Sequence, residues 1–77
     1  MLTDLERAIL DLEKAGAADK PAAIRGLGIT ETRYYLILNG LLDREDALAA
    51  EPALVARLRR LRDERNEVRA ARRRQLP

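Results

Sequence analysis

The chain has 77 residues, of which 47% are hydrophobic and 36% are charged, and its formal net charge is +2. This length allows one domain with a core near the lower limit of stability, and the hydrophobic content is too high for a fully disordered chain. Cysteine and histidine are both absent, which excludes disulfides and the usual zinc chemistry.

The first segment predicts an amphipathic helix. Its apolar residues recur at i, i+3, i+4 and i+7, the spacing of one helical face, at Leu5, Ala8, Ile9 and Leu12. Thr3 and Glu6 have the spacing of a capping box, so they predict where the helix begins. Gly16 predicts its end, because glycine tolerates the backbone conformation that terminates helices.

A short second helix is predicted from Pro21 to Leu27, since Asp19 and Pro21 are typical of a helix start. Its inward positions would be Ala23, Ile24 and Leu27. Gly28 follows as a left-handed residue, as is common after a helix end.

Thr30 is a good N-cap for a third helix from Glu31 to Leu42. The predicted buried side of this helix consists of Tyr34, Ile37, Leu38 and Leu41. Asp43 is expected to cap a further short helical turn that runs through Ala50.

The pair Glu51–Pro52 predicts the start of a long last helix that extends towards Arg74, with Leu54, Leu58 and Leu61 as its buried stripe. The expected fold is therefore an all-α domain of four to five helices that contains a helix-turn-helix and a long basic C-terminal helix. We expect residues 1–61 to form the helical domain. Residues 62–77 would be the protruding, arginine-rich end of the same last helix.

The stretch "LGITETRYYLILNG" meets the demands of a helix-turn-helix unit. Gly28 can make the turn, Ile29 can fill the corner, and Tyr34 with Ile37 can seat the second helix. The outward positions are then Glu31, Thr32, Arg33, Tyr35, Leu36 and Asn39. An αα corner with both tyrosines in the core would satisfy the same pattern, so the sequence leaves both interpretations open.

Several of these outward side chains could contact DNA. Arg33 could contact a guanine edge or a phosphate, and Asn39 could contact adenine. Thr32 and Tyr35 are candidates for phosphate contacts or for packing against thymine methyl groups. The set contains one cation, so its contribution to binding would be small.

Positive charge is concentrated in the last helix. Residues 1–56 carry a net charge of −4, whereas residues 57–77 carry nine arginines and three acids, a net charge of +6. Such asymmetry indicates a polyanionic partner. A helical projection places one set of arginines on a single broad side, as candidate phosphate contacts: Arg62, Arg65, Arg69, Arg72 and Arg73. The acids fall on the opposite side, where Asp63 and Glu64 are predicted to pair with Arg59 and Arg60.

Three motifs resemble an actinobacterial and actinophage family of small proteins catalogued as a domain of unknown function. They are "TRYYLILNGLLD", "ALAAEPALV" and "RLRRLR", within Thr30 to Arg73. The resemblance implies a helix-turn-helix and little more about function. Members have paired tryptophans in the first helix, which are missing here, and a glutamine where this chain has Leu36.

We therefore predict a small DNA-binding protein, a transcriptional or phage and mobile-element regulator, with helix 31–42 in the major groove. The rival hypothesis is an adaptor or inhibitor of transcription or replication machinery that uses Tyr35, Leu36 and the basic helix. The expected partners are DNA and a second copy or another protein. We expect no enzymatic activity, cofactor, metal, small-molecule substrate or membrane, and a cytoplasmic location.

Overall fold

The computed structural model describes residues 1–75, and these form five helices and no strands: α1 (Asp4–Ala15), α2 (Lys20–Gly26), α3 (Glu31–Leu42), α4 (Glu45–Ala50) and α5 (Pro52–Gln75). The all-α prediction is confirmed. Helix α2 begins and ends one residue earlier than predicted. Leu76 and Pro77, which end the predicted protruding segment, lie outside the described residues.

Hydrogen bonds at the starts of α1 and α2 confirm the predicted roles of Thr3, Glu6 and Asp19. The Glu6 N–H donates to Thr3 Oγ1 at 3.1 Å, and the Thr3 N–H donates to Glu6 Oε1 at 2.8 Å. Asp19 accepts from the Ala22 N–H at 3.1 Å and so caps α2. Each bond satisfies a backbone donor that has no partner within the helix.

The predicted capping role of Asp43 is wrong. Arg44 occupies the N-cap position of α4, without a side-chain cap bond, and Asp43 is the residue that follows α3. The Asp43 carboxylate instead accepts from Arg62 on α5. A long-range ion pair has therefore replaced a local cap that the sequence pattern favoured.

Helix α3 lies at the centre and packs against the other four helices. The buried core consists of Ile9, Leu10, Ile24, Tyr34, Leu38, Leu41, Leu42, Ala47, Leu54 and Val55. Leu10, Leu42 and Val55 were missed by the predicted apolar stripes. Leu61 was predicted to be buried and is 44% exposed, because no other helix covers that part of α5.

Tyr34 ties three helices together. It is fully buried, and its hydroxyl donates to Glu13 Oε1 at 2.6 Å. The Lys20 ammonium lies 2.5 Å from the same carboxylate oxygen. Burial and the neighbouring Glu13 carboxylate raise the pKa of Tyr34 above its ordinary value, so the phenol stays protonated. This cluster joins the end of α1 and the start of α2 to α3.

Glu51 is the one buried acid among the described residues. Its carboxylate accepts from Arg7 at 2.9 Å and lies 3.4 Å from the Lys14 ammonium, so α1 is tied to the start of α5. A buried carboxylate needs such partners, because an unpaired buried charge is costly.

Stability should fall in acid because of Asp46. Hydrogen bonds from Arg44, at 3.0 Å and 2.5 Å, lower the pKa of Asp46 from 3.8 to about 2. A lowered folded-state pKa means that the stabilisation is present above about pH 4 and is lost as the pH falls towards 2. The Thr3 backbone hydrogen bond also lowers the pKa of Glu6.

Urea denaturation should therefore show a midpoint that falls as the pH is lowered from about 4 towards 2. Asp46→Asn should be less stable at neutral pH and should lose part of that pH dependence, and an unchanged profile would contradict the assignment.

Candidate nucleic-acid interface

Helices α2 and α3 form the predicted helix-turn-helix unit. The turn between them contains Gly28, which has φ 81°, and the Gly28 N–H donates to the Arg25 carbonyl at 2.9 Å. Ile29 is half-buried and packs against the core, as predicted. Thr30 Oγ1 accepts from the Arg33 N–H at 3.1 Å and caps α3. The turn is therefore held by local hydrogen bonds that the sequence anticipated.

Two glycines in this region should respond to alanine in opposite ways. A Cβ added at Gly28 or at Gly40 would meet no atom within 4 Å, so packing does not decide either outcome. Gly28 has a positive φ that L-residues resist, so Gly28→Ala should cost about 1 kcal/mol. Gly40 lies within α3, where alanine should stabilise by about 0.5–1 kcal/mol. Urea denaturation of both variants tests this, and a shift of the same sign in the two would contradict it.

The outer side of α3 is exposed to solvent. All six side chains that were predicted to face outward are exposed, among them Leu36, at 68%. Thr32, Leu36 and Asn39 follow one another along this outer side at helical spacing. Tyr35 lies on the α5 side of this row, as Asn39 does, and the Lys20 ammonium lies 5.2 Å from the Tyr35 ring centroid.

Helix α5 is anchored to α3 by two arginines. Arg59 donates to the Leu42 carbonyl, which lies at the end of α3. Arg62 donates two hydrogen bonds to Asp43, at 3.0 Å and 3.3 Å. The predicted pairing of Arg59 and Arg60 with Asp63 and Glu64 is wrong, since residues 1–75 show neither ion pair, and Arg59 reaches α3 instead.

Beyond Arg62, α5 extends away from the core. Residues 63–74 are all exposed, and the molecule is elongated, with principal extents of 46, 28 and 19 Å. The basic side of this segment contains four arginines that take part in no ion pair with a described carboxylate: Arg65, Arg69, Arg72 and Arg73. Their guanidinium groups are available to an external anion, whereas Arg62 is already bound to Asp43.

An open cleft of about 810 Å³ separates the basic side of α5 from α3. Tyr35 and Asn39 line the α3 wall, and Arg65 and Arg69 line the α5 wall. Leu58 and Leu61 contribute apolar surface on the α5 side. The sequence had placed Tyr35 and Arg65 in one interface without indicating that a cleft lies between them.

The described part of the chain contains neither a membrane-spanning helix nor an acidic metal-binding cluster. Among the described residues, no helix is long and apolar enough to cross a membrane. Within residues 1–75, no group of three or more acidic side chains is placed to hold a metal ion.

These features define a small all-α protein with a helix-turn-helix unit and a long basic C-terminal helix. A family model described as "Protein of unknown function (DUF3263)" matches residues 1–70, and the chain belongs to this family. Comparison with curated proteins and with solved structures found no match.

Proposed function

We propose that this protein binds double-stranded DNA, with α3 in the major groove and the basic side of α5 against the phosphate backbone. The observation that carries the proposal is a set of four arginines that share one side of α5 past the core and form no ion pair with a carboxylate of residues 1–75: Arg65, Arg69, Arg72 and Arg73. Such a charge distribution suits a phosphate backbone, since every phosphate that is neutralised releases counterions and adds to affinity.

The exposed outer side of α3 supports the placement in the groove. Arg33 and Asn39 carry the side chains that can hydrogen-bond to guanine and adenine edges. Thr32 can contact a phosphate, and Leu36 can pack against a thymine methyl group. Tyr35 lies at the edge of this face, beside α5.

The phosphate contacts are assigned to Arg65, Arg69, Arg72 and Arg73. Arg62, which the sequence also suggested, holds Asp43 and serves in this proposal to orient α5 against α3. Because α3 offers one cation, a single copy would bind weakly, and the proposal includes a dimer or a protein partner. A role in transcription or in a phage, an actinobacterial origin and a cytoplasmic location belong to the same proposal.

A second candidate function is a protein-interaction module, an adaptor or inhibitor of transcription or replication machinery. The observation that favours it is Leu36, which is 68% exposed at the middle of the outer side of α3. A large apolar residue in that position can anchor a protein interface. Under this hypothesis, Leu36→Ala would not change the affinity for any duplex.

Selection of preferred duplexes from a random pool, followed by anisotropy titration, tests the groove assignment. If Arg33 contacts a base, Arg33→Ala should weaken binding to the selected sequence by about tenfold to a hundredfold and binding to unrelated duplexes much less. Arg25→Ala removes one exposed cation on α2 and is the matched control. Equal weakening of all duplexes by Arg33→Ala would show that Arg33 contacts only phosphate, and recovery of no duplex at all would contradict the proposed function.

A further inference from the structure

The α3–α5 cleft shares Asn39, Arg65 and Arg69 with the proposed duplex surface and adds the ring of Tyr35 to them. Tyr35 is 44% exposed, yet its ring is held in place at the cleft wall. It makes an edge-to-face contact with the buried Tyr34, with centroids 5.1 Å apart and planes at 87°. The Lys20 ammonium lies 5.2 Å from the Tyr35 ring centroid. An exposed aromatic ring that is already ordered can stack on a planar group at a small entropic cost.

The opposite wall carries the charge that a phosphate needs. Arg65 and Arg69 lie on the α5 wall and form no ion pair with a carboxylate of residues 1–75. Of the three carboxylates that line the cleft, Glu13 lies 2.5 Å from Lys20, and Asp43 lies 3.0 Å from Arg62. The third, Asp63, is exposed to solvent. The cleft therefore offers unpaired positive charge on one wall and an aromatic ring on the other.

Size and polar groups define the ligand further. A space of about 810 Å³ is in the range that holds one drug-sized molecule, the size of a nucleotide. Asn39 and Asn66 line the cleft as well, and their amides can both donate to and accept from the exposed edge of an unpaired base.

We propose that the cleft between α3 and α5 binds an unpaired nucleotide of a single-stranded nucleic acid. The base stacks on Tyr35, the amides of Asn39 and Asn66 contact its edge, and Arg65 and Arg69 bind the adjoining phosphate. Stacking on aromatic rings combined with a cationic track is the usual means of holding single strands. This inference rests on the proposed nucleic-acid function and adds an unpaired segment to its substrate.

The test is fluorescence anisotropy of the full chain with a labelled oligothymidylate of about 16 nucleotides and, in parallel, a mixed-sequence duplex of the same length. Tyr35→Ala should weaken binding of the single strand by about tenfold, because one stacked base is lost. Tyr35→Phe keeps the ring and should retain the wild-type affinity for the single strand. An oligouridylate of equal length separates RNA from DNA as the source of the unpaired nucleotide.

A charge-matched pair of variants tests the α5 wall of the cleft. Arg65→Gln/Arg69→Gln should weaken single-strand binding and make it less dependent on salt. Arg57→Gln/Arg60→Gln removes the same charge from another side of α5 and should have a smaller effect. Thermal unfolding of each variant, followed by circular dichroism, verifies that the variants are folded.

Three results of these titrations would each overturn the inference. Single-strand binding that Tyr35→Ala leaves unchanged would overturn the assignment of the cleft. Binding of the duplex without binding of either single strand would overturn the inference and leave the proposed function standing. Failure of both the duplex and the single strands to bind would remove the proposed function and the inference together.

Discussion

Tyr34→Ala should leave most of the chain unfolded at room temperature. Tyr34 is the largest fully buried side chain, and its hydroxyl donates to Glu13 at 2.6 Å. Truncating a buried aromatic side chain costs about 3–5 kcal/mol, through lost burial and the cavity that remains. A domain of this size rarely has more than about 3–5 kcal/mol of stability from its core. The helical signal in far-ultraviolet circular dichroism should therefore be largely lost.

Two control variants separate the contribution of the Tyr34 ring from that of its hydroxyl group and from that of the neighbouring Tyr35. Tyr34→Phe keeps the buried ring and should cost about 1.5–3 kcal/mol, the value of a hydrogen bond to a charged acceptor. Tyr35→Ala removes a partly exposed ring and should cost less than about 1 kcal/mol. A Tyr34→Ala variant with the wild-type urea midpoint would show that this side chain does not hold α1, α2 and α3 together.

The second large effect is expected from the basic side of α5. Replacing Arg65, Arg69 and Arg72 together with glutamine should lower the affinity for duplex DNA on the order of a hundredfold at low salt. Because each of these arginines neutralises about one phosphate, the slope of log K against log salt should become shallower by about 2–3. Anisotropy titrations at several salt concentrations measure both quantities.

The matched control for this variant removes the same charge from the other sides of the helix. Replacing Arg57, Arg60 and Arg74 with glutamine gives a protein of identical net charge. If the segregated side of α5 is the binding surface, this control should retain most of the affinity and most of the salt dependence. Equal losses in the two triple variants would mean that net charge, rather than its placement, determines binding.

The local elements of the fold could be predicted from the sequence, because the residues that define them are near neighbours. Thr3 with Glu6 starts α1, Gly28 makes the turn, and Thr30 starts α3. All of these depend on hydrogen bonds or backbone angles within a few residues. The bounds of α3 were predicted correctly, because the cap Thr30 and the apolar spacing of the segment indicate the same helix.

The parts that could not be predicted depend on contacts between distant segments. Asp43 was expected to cap α4, but Arg62, which lies 19 positions further along the chain, binds its carboxylate instead. Leu61 continues the apolar spacing of α5 and is nevertheless 44% exposed, because periodicity does not reveal where a neighbouring helix ends. For the same reason, the sequence did not indicate a cleft between Tyr35 and Arg65.

Titration of the wild-type chain with mixed-sequence duplex DNA across a salt series tests the central claim most directly. If Arg33 and the four arginines on the basic side of α5 neutralise five phosphates, log K should fall linearly with log salt, with a slope of about −4.5. An affinity that does not change with salt, or no binding at the lowest salt concentration, would contradict the account.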